Sequence, residues 1–361
     1  MKTIDLMYQT MLAELGQRSL DAAWTVDFPS EGTFTPVTVK GRRYWYFDLP
    51  DGQRGRTRRY VGPATDDDIA RRVETFKREK DDLRARRRMV STLTREGGML
   101  ALDSMSGDVV EALAAGGLFR LRGVLIGTVA FQTYSGLLGV RLPMAAILTG
   151  DADVAQDYAI SSEVQDSLPP IVELLQGVDP TFRPVPHRSG AAATSAFQTD
   201  SGFRVEFLTS NRGSDDYMDQ PAKMPALGGA DPLRFLDFLI RDPVRTILLH
   251  KSGIPVTVPE PSRYAVHKLI VATRRRMDDL SALKREKDIR QAELLFEALY
   301  QTRRASDFAL AYDEAWERGP AWQEALREAR YMLSEDGRAA LSRILRLGNQ
   351  QIGKERSEDP Q

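Results

Sequence analysis

The chain has 361 residues, no cysteine and only three histidines. The missing cysteine excludes disulfides, thiolate zinc sites, iron–sulfur clusters and a cysteine nucleophile together. It also suits a reducing compartment. His187, His250 and His267 lie far apart in the chain, which argues against a three-histidine metal site. An excess of one charge is missing too: 50 Lys+Arg stand against 51 Asp+Glu, for a net charge of −1. A uniformly basic nucleic-acid coat and an acidic disordered chain are both excluded. Long apolar runs are absent. The stretches 123–130 and 137–148 are interrupted by Gly, Thr, Arg or Pro and fall short of the roughly 18 residues of a membrane span. The first 24 residues carry no apolar run after a basic start and no small-residue cleavage site, so the expectation is a cytoplasmic protein with no membrane partner. Also missing are Gly-x-x-x-x-Gly-Lys-Ser/Thr, Gly-x-Gly-x-x-Gly after a strand, His-Glu-x-x-His and Gly-x-Ser-x-Gly. P-loop ATPases, Rossmann dehydrogenases, zincins and α/β hydrolases are thereby disfavoured.

What is present is an ordinary globular composition, 42% apolar and 28% charged, long enough for two or three domains. Apolar residues at Ile4, Met7, Met11 and Leu15 predict a first helix. Short runs rich in Val, Thr, Tyr and Trp at 33–40, 42–48 and 57–61 predict a small antiparallel meander. A long helix follows, with Thr65 as its N-cap, three aspartates in its first turn and Gly97-Gly98 at its end. Its apolar stripe is thin, as in a helix bridging two modules. From residue 100, helix and strand signals alternate, and Asp200-Ser201-Gly202 marks a hairpin. That order predicts a mixed sheet carrying helices. From Pro232 on, the reading is helical apart from a loop at 253–261, with a frayed polar tail.

The chemistry concentrates in Leu125-Ile126-Gly127-Thr128 and in Thr149-Gly150-Asp151-Ala152-Asp153-Val154. On a strand, residues i and i+2 project from one face, so Asp151 and Asp153 stand side by side while Ala152 and Val154 point into the packing. Two like charges so placed call for a neutralising partner. A hard divalent cation such as Mg²⁺ or Mn²⁺, bound by oxygen, fits. Gly127-Thr128 lies where a strand passes into a helix. There the backbone admits a phosphate, and the helix start attracts it. Glu206, between Val205 and Phe207, offers a third carboxylate for a two-metal arrangement.

These features resemble the nucleotidyltransferase-fold superfamily, the DNA-polymerase-beta-like fold. The chain is similar to bacterial nucleotidyltransferase-fold proteins akin to the toxins of abortive-infection systems. The likeness covers about residues 100–330 and rests on Gly117-Leu118-Phe119-Arg120, Gly127-Thr128-Val129-Ala130-Phe131, the Asp151-Ala152-Asp153 segment, Arg204-Val205-Glu206-Phe207-Leu208, Pro232 to Leu239, and Val266-His267-Lys268-Leu269. It implies an α+β fold: a nucleotidyltransferase mixed sheet with helices, preceded by the antiparallel β-meander plus long helix and followed by a helical C-terminal region. The domains expected are 1–99, a catalytic core at 100–225, a helical domain at 226–350 and a disordered tail at 351–361. The resemblance implies metal-dependent transfer of a nucleoside monophosphate from an NTP to an acceptor hydroxyl. Asp151, Asp153 and Glu206 would be the metal and catalytic acids, and Gly127, Thr128, Lys268 and Lys287 would hold the nucleotide, with Asp288 beside them. The segment between Thr128 and Asp151 is long for the superfamily and must loop out. An RNA, tRNA, protein or small-molecule acceptor, an antitoxin partner and a role in phage defence fit the same resemblance.

Charge supports two sectors. Between Leu142 and Phe182 there are seven acids and no Lys or Arg. The meander interleaves Arg42, Arg43, Arg54, Arg56, Arg58 and Arg59 with Tyr44, Trp45, Tyr46, Phe47 and Tyr60. That pattern suits RNA, with phosphates on the arginines and bases on the rings. It equally suits a small aromatic core under a solvated basic face. Two other functions stay open: a catalytically idle nucleotide- or RNA-binding protein of this fold, and a kinase moving the γ-phosphate with the same metals.

Overall fold

The computed structural model describes residues 1–22, 32–39, 42–50, 56–143, 151–157, 169–191, 193–211, 220–224, 227–275 and 279–358. The chain opens with α1 (Leu6–Ala22) and a three-stranded antiparallel sheet in the order β1 (Thr33–Val39), β2 (Arg42–Pro50), β3 (Arg56–Pro63). The long helix α2 (Asp67–Arg95) follows. Asp66, rather than the expected Thr65, supplies its cap: the Asp66 carboxylate accepts from the Ile69 N–H at 3.1 Å. A carboxylate also complements the positive helix start, which a hydroxyl does not.

Three strands cannot bury a core alone, and α2 completes this one. Phe34, Phe47 and Phe76 meet with ring centroids 5.0–5.7 Å apart, over Val73. The second half of α2 packs Val90 and Leu93 with Ile4 and Leu15 near α1 and with Ile247 and Leu249 of the following region. The thin stripe thus serves two cores in succession, as a bridging helix must.

The central sheet runs β4 (Val124–Ile126), β5 (Asp151–Ala155), β8 (Arg204–Ser210), β7 (Ala196–Gln198), β6 (Arg183–Pro184), and β9 (Asp231–Leu233) pairs with the end of β8. It is mixed. β4/β5, β8/β7 and β7/β6 are antiparallel, and β5/β8 and β8/β9 are parallel. Helices α3 (Ser104–Ala115), α4 (Gly127–Leu138), α5 (Ile171–Gln176) and α6 (Leu236–Leu239) accompany it.

The helical reading after Pro232 is corrected at two places. Besides β9, a hairpin forms from β10 (Val244–Leu248) and β11 (Ile254–Val258), and β11 lies inside the expected loop. Both arms are rich in β-branched residues (Val244, Thr246 and Ile247; Ile254, Val256, Thr257 and Val258), and that propensity outweighs the prolines around them. Gly253 turns the chain with φ +87°. Five helices then follow: α7 (Pro261–Arg274), α8 (Asp279–Gln301), α9 (Ala305–Glu317), α10 (Pro320–Met332) and α11 (Glu335–Glu358). The tail expected to be disordered from 351 continues α11 as far as Glu358. Extending an existing helix adds one hydrogen bond per residue and needs no new nucleus, which outweighs the poor propensity of Gly353. One apolar core reaches from Leu102 to Ile344, so sheet and C-terminal helices are packed as a unit. Among the described residues, no helix is long and apolar enough to cross a membrane.

Candidate functional site

Strand alternation builds the acidic face. Ala152, Val154, Val205 and Phe207 are fully buried. Burying a side chain such as Phe207 contributes about 2–3 kcal/mol. That anchoring turns Asp151, Asp153 and Glu206 to the opposite face. Register then aligns them: Ile126 pairs with Asp153, and Asp153 pairs with Glu206. The last residue of β4 and two carboxylates therefore stand abreast on neighbouring strands, about 4.8 Å apart. Arg204, quoted in a motif but given no role from the sequence, pairs in register with Asp151 and sets its Nε 2.6 Å from Glu206 Oε1. Its signal is the same i, i+2 spacing that linked the two aspartates.

Gly127 closes the site from the β4 side. Its φ is +66°, and a Cβ there would sit 2.3 Å from Asp153 Oδ2. Only glycine allows both the backbone turn and the approach of this carboxylate. Thr128, nearly buried, is not the cap of α4. Ile126 holds that position and gives no side-chain hydrogen bond. The first-turn N–H groups of α4 thus begin without a side-chain cap. Thr149 and Gly150 lie outside the described residues, as does the expected insertion from residue 144 on.

Electrostatics show the cost of this arrangement. Burial, then Asp151 and Glu206, push the Asp153 carboxyl up to about 7, while Lys268 and Lys284 pull against that rise. Carboxylate oxygens are the donors a hard divalent cation takes, although among the described residues these three carboxylates do not converge within 4.8 Å as Asp108, Glu111 and His250 do. Asp151, Asp153 and Glu206 are the residues that would hold it.

The expected phosphate lysines separate into two groups. Lys268 is buried, with Nζ 2.6 Å from Asp288 Oδ1, and Arg275 Nε takes Oδ2 at 2.6 Å. Burial opposes the Lys268 charge, but Asp288 and Tyr264 outweigh it and hold the ammonium above its ordinary range. Burial likewise opposes the Asp288 charge, and Lys268 and Arg275 keep that carboxyl low. Lys287 is half-buried. Burial and the nearby Lys268 lower its pKa, while Asp151 acts in the opposite sense. Lys284 is exposed and adds its field at Asp153. Sequence reasoning missed it, although Lys284, Lys287, Asp288 and Gln291 share one face of α8 at helical spacing. His267 is buried and pushed down to about 3, first by burial and then by Lys268, so it stays neutral at physiological pH.

A second cluster is drawn from other elements. Asp108, Glu111 and His250 bring potential metal-binding atoms within 4.8 Å of one another, a grouping the sequence reading did not make. The Lys251 ammonium already bridges it, at 2.7 Å from Asp108 and 2.6 Å from Glu111, and His250 Nε2 lies 2.7 Å from Asp108. Residues brought together only by the turn of the β10–β11 hairpin leave no local sequence signal.

In the meander, Phe47 faces inward. The half-exposed Arg58 grips the buried Asp48 through two nitrogens at 2.6 and 2.8 Å. Arg43 is exposed; the side chains of Arg42, Arg56 and Arg59 lie outside the described residues.

A family model described as "Nucleotidyltransferase" matches residues 104–317, which take in the central sheet, the glycine turn and helices α7 to α9. A search of the curated proteins and of the solved structures finds no match.

Proposed function

Because the chain belongs to the nucleotidyltransferase family, and is thereby a transferase of nucleotidyl groups, we propose that it moves a nucleoside monophosphate from an NTP to an acceptor hydroxyl at Asp151, Asp153 and Glu206. The observation that carries this reading is the alignment of Ile126, Asp153 and Glu206 across three strands, with Gly127 against Asp153. The acceptor oxygen attacks the α-phosphorus, the bond from that phosphorus to the α,β-bridging oxygen breaks, and pyrophosphate leaves with the bond's electrons. Divalent cations held by Asp151, Asp153 and Glu206 would supply charge neutralisation at the triphosphate and would ease loss of the acceptor's proton.

The chain's own groups divide the work by position. Gly127 and the first-turn N–H groups of α4, including that of Thr128, receive the triphosphate, with Lys284 and Lys287 adding charge from α8. Lys268 acts from behind, through Asp288 and Tyr264. Glu206 lies one strand further from the glycine turn than Asp153, so it serves the acceptor side and takes the hydroxyl proton. Positioning and charge supply most of the rate. RNA, including tRNA, is the acceptor class the basic meander favours. The abortive-infection resemblance adds a phage-defence setting and an antitoxin partner to the proposal.

The test incubates the protein with Mg²⁺, candidate RNAs and NTPs labelled at the α or the γ position in parallel. Label delivered from α, and lost in Asp153→Ala, is the expected result. Label delivered only from γ makes the protein a kinase. No transfer, with unchanged nucleotide binding in Asp151→Ala/Asp153→Ala, overturns the metal-dependent reading.

A further inference from the structure

Tyr264 lies outside every motif that pointed to the site, yet it touches the site's central turn. It stands on α7 with its ring buried against two aromatics of α4, 5.9 Å from Phe131 and 5.1 Å from Tyr134 between centroids. Its hydroxyl lies 2.9 Å from the Gly127 carbonyl oxygen and 3.0 Å from the Gln291 side-chain amide on α8. A phenol has one proton. The Gly127 carbonyl and Gln291 Oε1 are both acceptors, so the Tyr264 hydroxyl serves Gly127 in competition with the amide oxygen. Burial pushes the Tyr264 pKa up, so the hydroxyl keeps this proton throughout the physiological range. The Lys268 ammonium, locked by Asp288, rests 5.2 Å from the ring centroid.

The peptide plane carries the consequence. In a trans peptide the carbonyl of residue 127 and the N–H of residue 128 point in opposite directions from one rigid plane. A hydroxyl that fixes the Gly127 oxygen therefore fixes the direction of the Thr128 N–H, at the start of α4. We infer that Tyr264 is a positioning residue: through the Gly127 carbonyl it aims the Thr128 N–H at the triphosphate, and it ties nucleotide binding to the packing of α7 and α8. This inference rests on the reading of the Gly127 turn as the triphosphate site.

Tyr264→Phe removes one oxygen and leaves the ring in its packing. The measurement is calorimetric binding of a non-hydrolysable NTP with Mg²⁺, alongside binding of Mn²⁺ alone. The expected result is nucleotide affinity weakened about tenfold, the equivalent of about 1.4 kcal/mol, with Mn²⁺ affinity unchanged because the carboxylates are untouched. Gln291→Met, which removes the competing acceptor, is expected to keep nucleotide affinity at or above that of the wild type. Unchanged nucleotide affinity in Tyr264→Phe, with the wild type binding normally, overturns the inference alone. An equal loss of nucleotide and Mn²⁺ binding makes Tyr264 merely structural and overturns it as well. A wild type that binds no NTP removes the triphosphate reading, and this inference with it.

Discussion

Asp153 is a carboxyl held where a bare carboxylate is costly. Its ordinary value is 3.8, and burial with Asp151 and Glu206 nearby raises it to about 7. The folded state therefore holds a proton that the unfolded chain has released at pH values between about 4 and 7. Stability falls as pH rises through that window, and the loss is complete above about 7. Removing the charge while keeping the shape reverses the loss. Metal-free Asp153→Asn is expected to melt several degrees above the wild type at pH 8, for a gain of a few kcal/mol, and the two are expected to converge near pH 4. Added Mg²⁺ raises the wild-type midpoint at pH 8 and leaves the variant's nearly unmoved. Thermal melts at the two pH values check this, and a variant less stable than wild type at pH 8 contradicts it. Such a gain on deleting a polar group marks a residue kept for binding at the expense of stability.

At the scale of elements, α7 and α8 give two lysine roles that a sequence motif alone does not separate. Asp288 is fully buried, and Lys268 and Arg275 neutralise it. Lys268→Met leaves Arg275 as its remaining described ion-pair partner. Breaking one partner of a buried pair costs about 3–5 kcal/mol, so the midpoint is expected to fall by on the order of ten degrees. Lys284→Ala/Lys287→Ala removes outer charges, and its stability is expected to stay close to wild type while nucleotide binding weakens. A Lys268→Met protein with wild-type melting and lost nucleotide binding would exchange the two roles. The juxtaposition of Asp151, Asp153 and Glu206 was legible because a strand has a period of two and apolar neighbours fix the facing. The bridging character of α2 was legible from its thin stripe. The burial of Lys268 was not, because it depends on an aspartate twenty residues away on the next helix. The β10–β11 hairpin was missed because each arm is only five residues long, with prolines near both. The Lys251 cluster and Tyr264 were invisible because their partners come from distant strands and helices.

Over the whole molecule, the net charge of −1 averages unlike sectors. The acidic stretch includes the two aspartates of the proposed site, and the arginine-rich meander sits at the far end of the bridging helix α2. If the meander reads RNA, its arginines contact phosphates, and affinity falls with salt as counterions are released. Arg58 is the wrong residue with which to test this. It neutralises the buried Asp48, so its loss unsettles the small core under Phe34, Phe47 and Phe76 whether or not RNA binds. Arg43 is exposed and has no ion-pair partner among the described residues. Arg43→Ala is therefore expected to leave folding intact, and Arg43→Ala/Arg56→Ala to weaken RNA binding. The double variant should also flatten the slope of log affinity against log salt by about 1.4, that is about 0.7 per single-strand phosphate contact. Filter binding or anisotropy across a salt series checks this. An unaltered slope would make the interleaved rings and arginines a solvated face over an aromatic core. The acceptor's binding surface would then lie elsewhere on the chain, while the chemistry proposed at Asp151, Asp153 and Glu206 would stand unaffected.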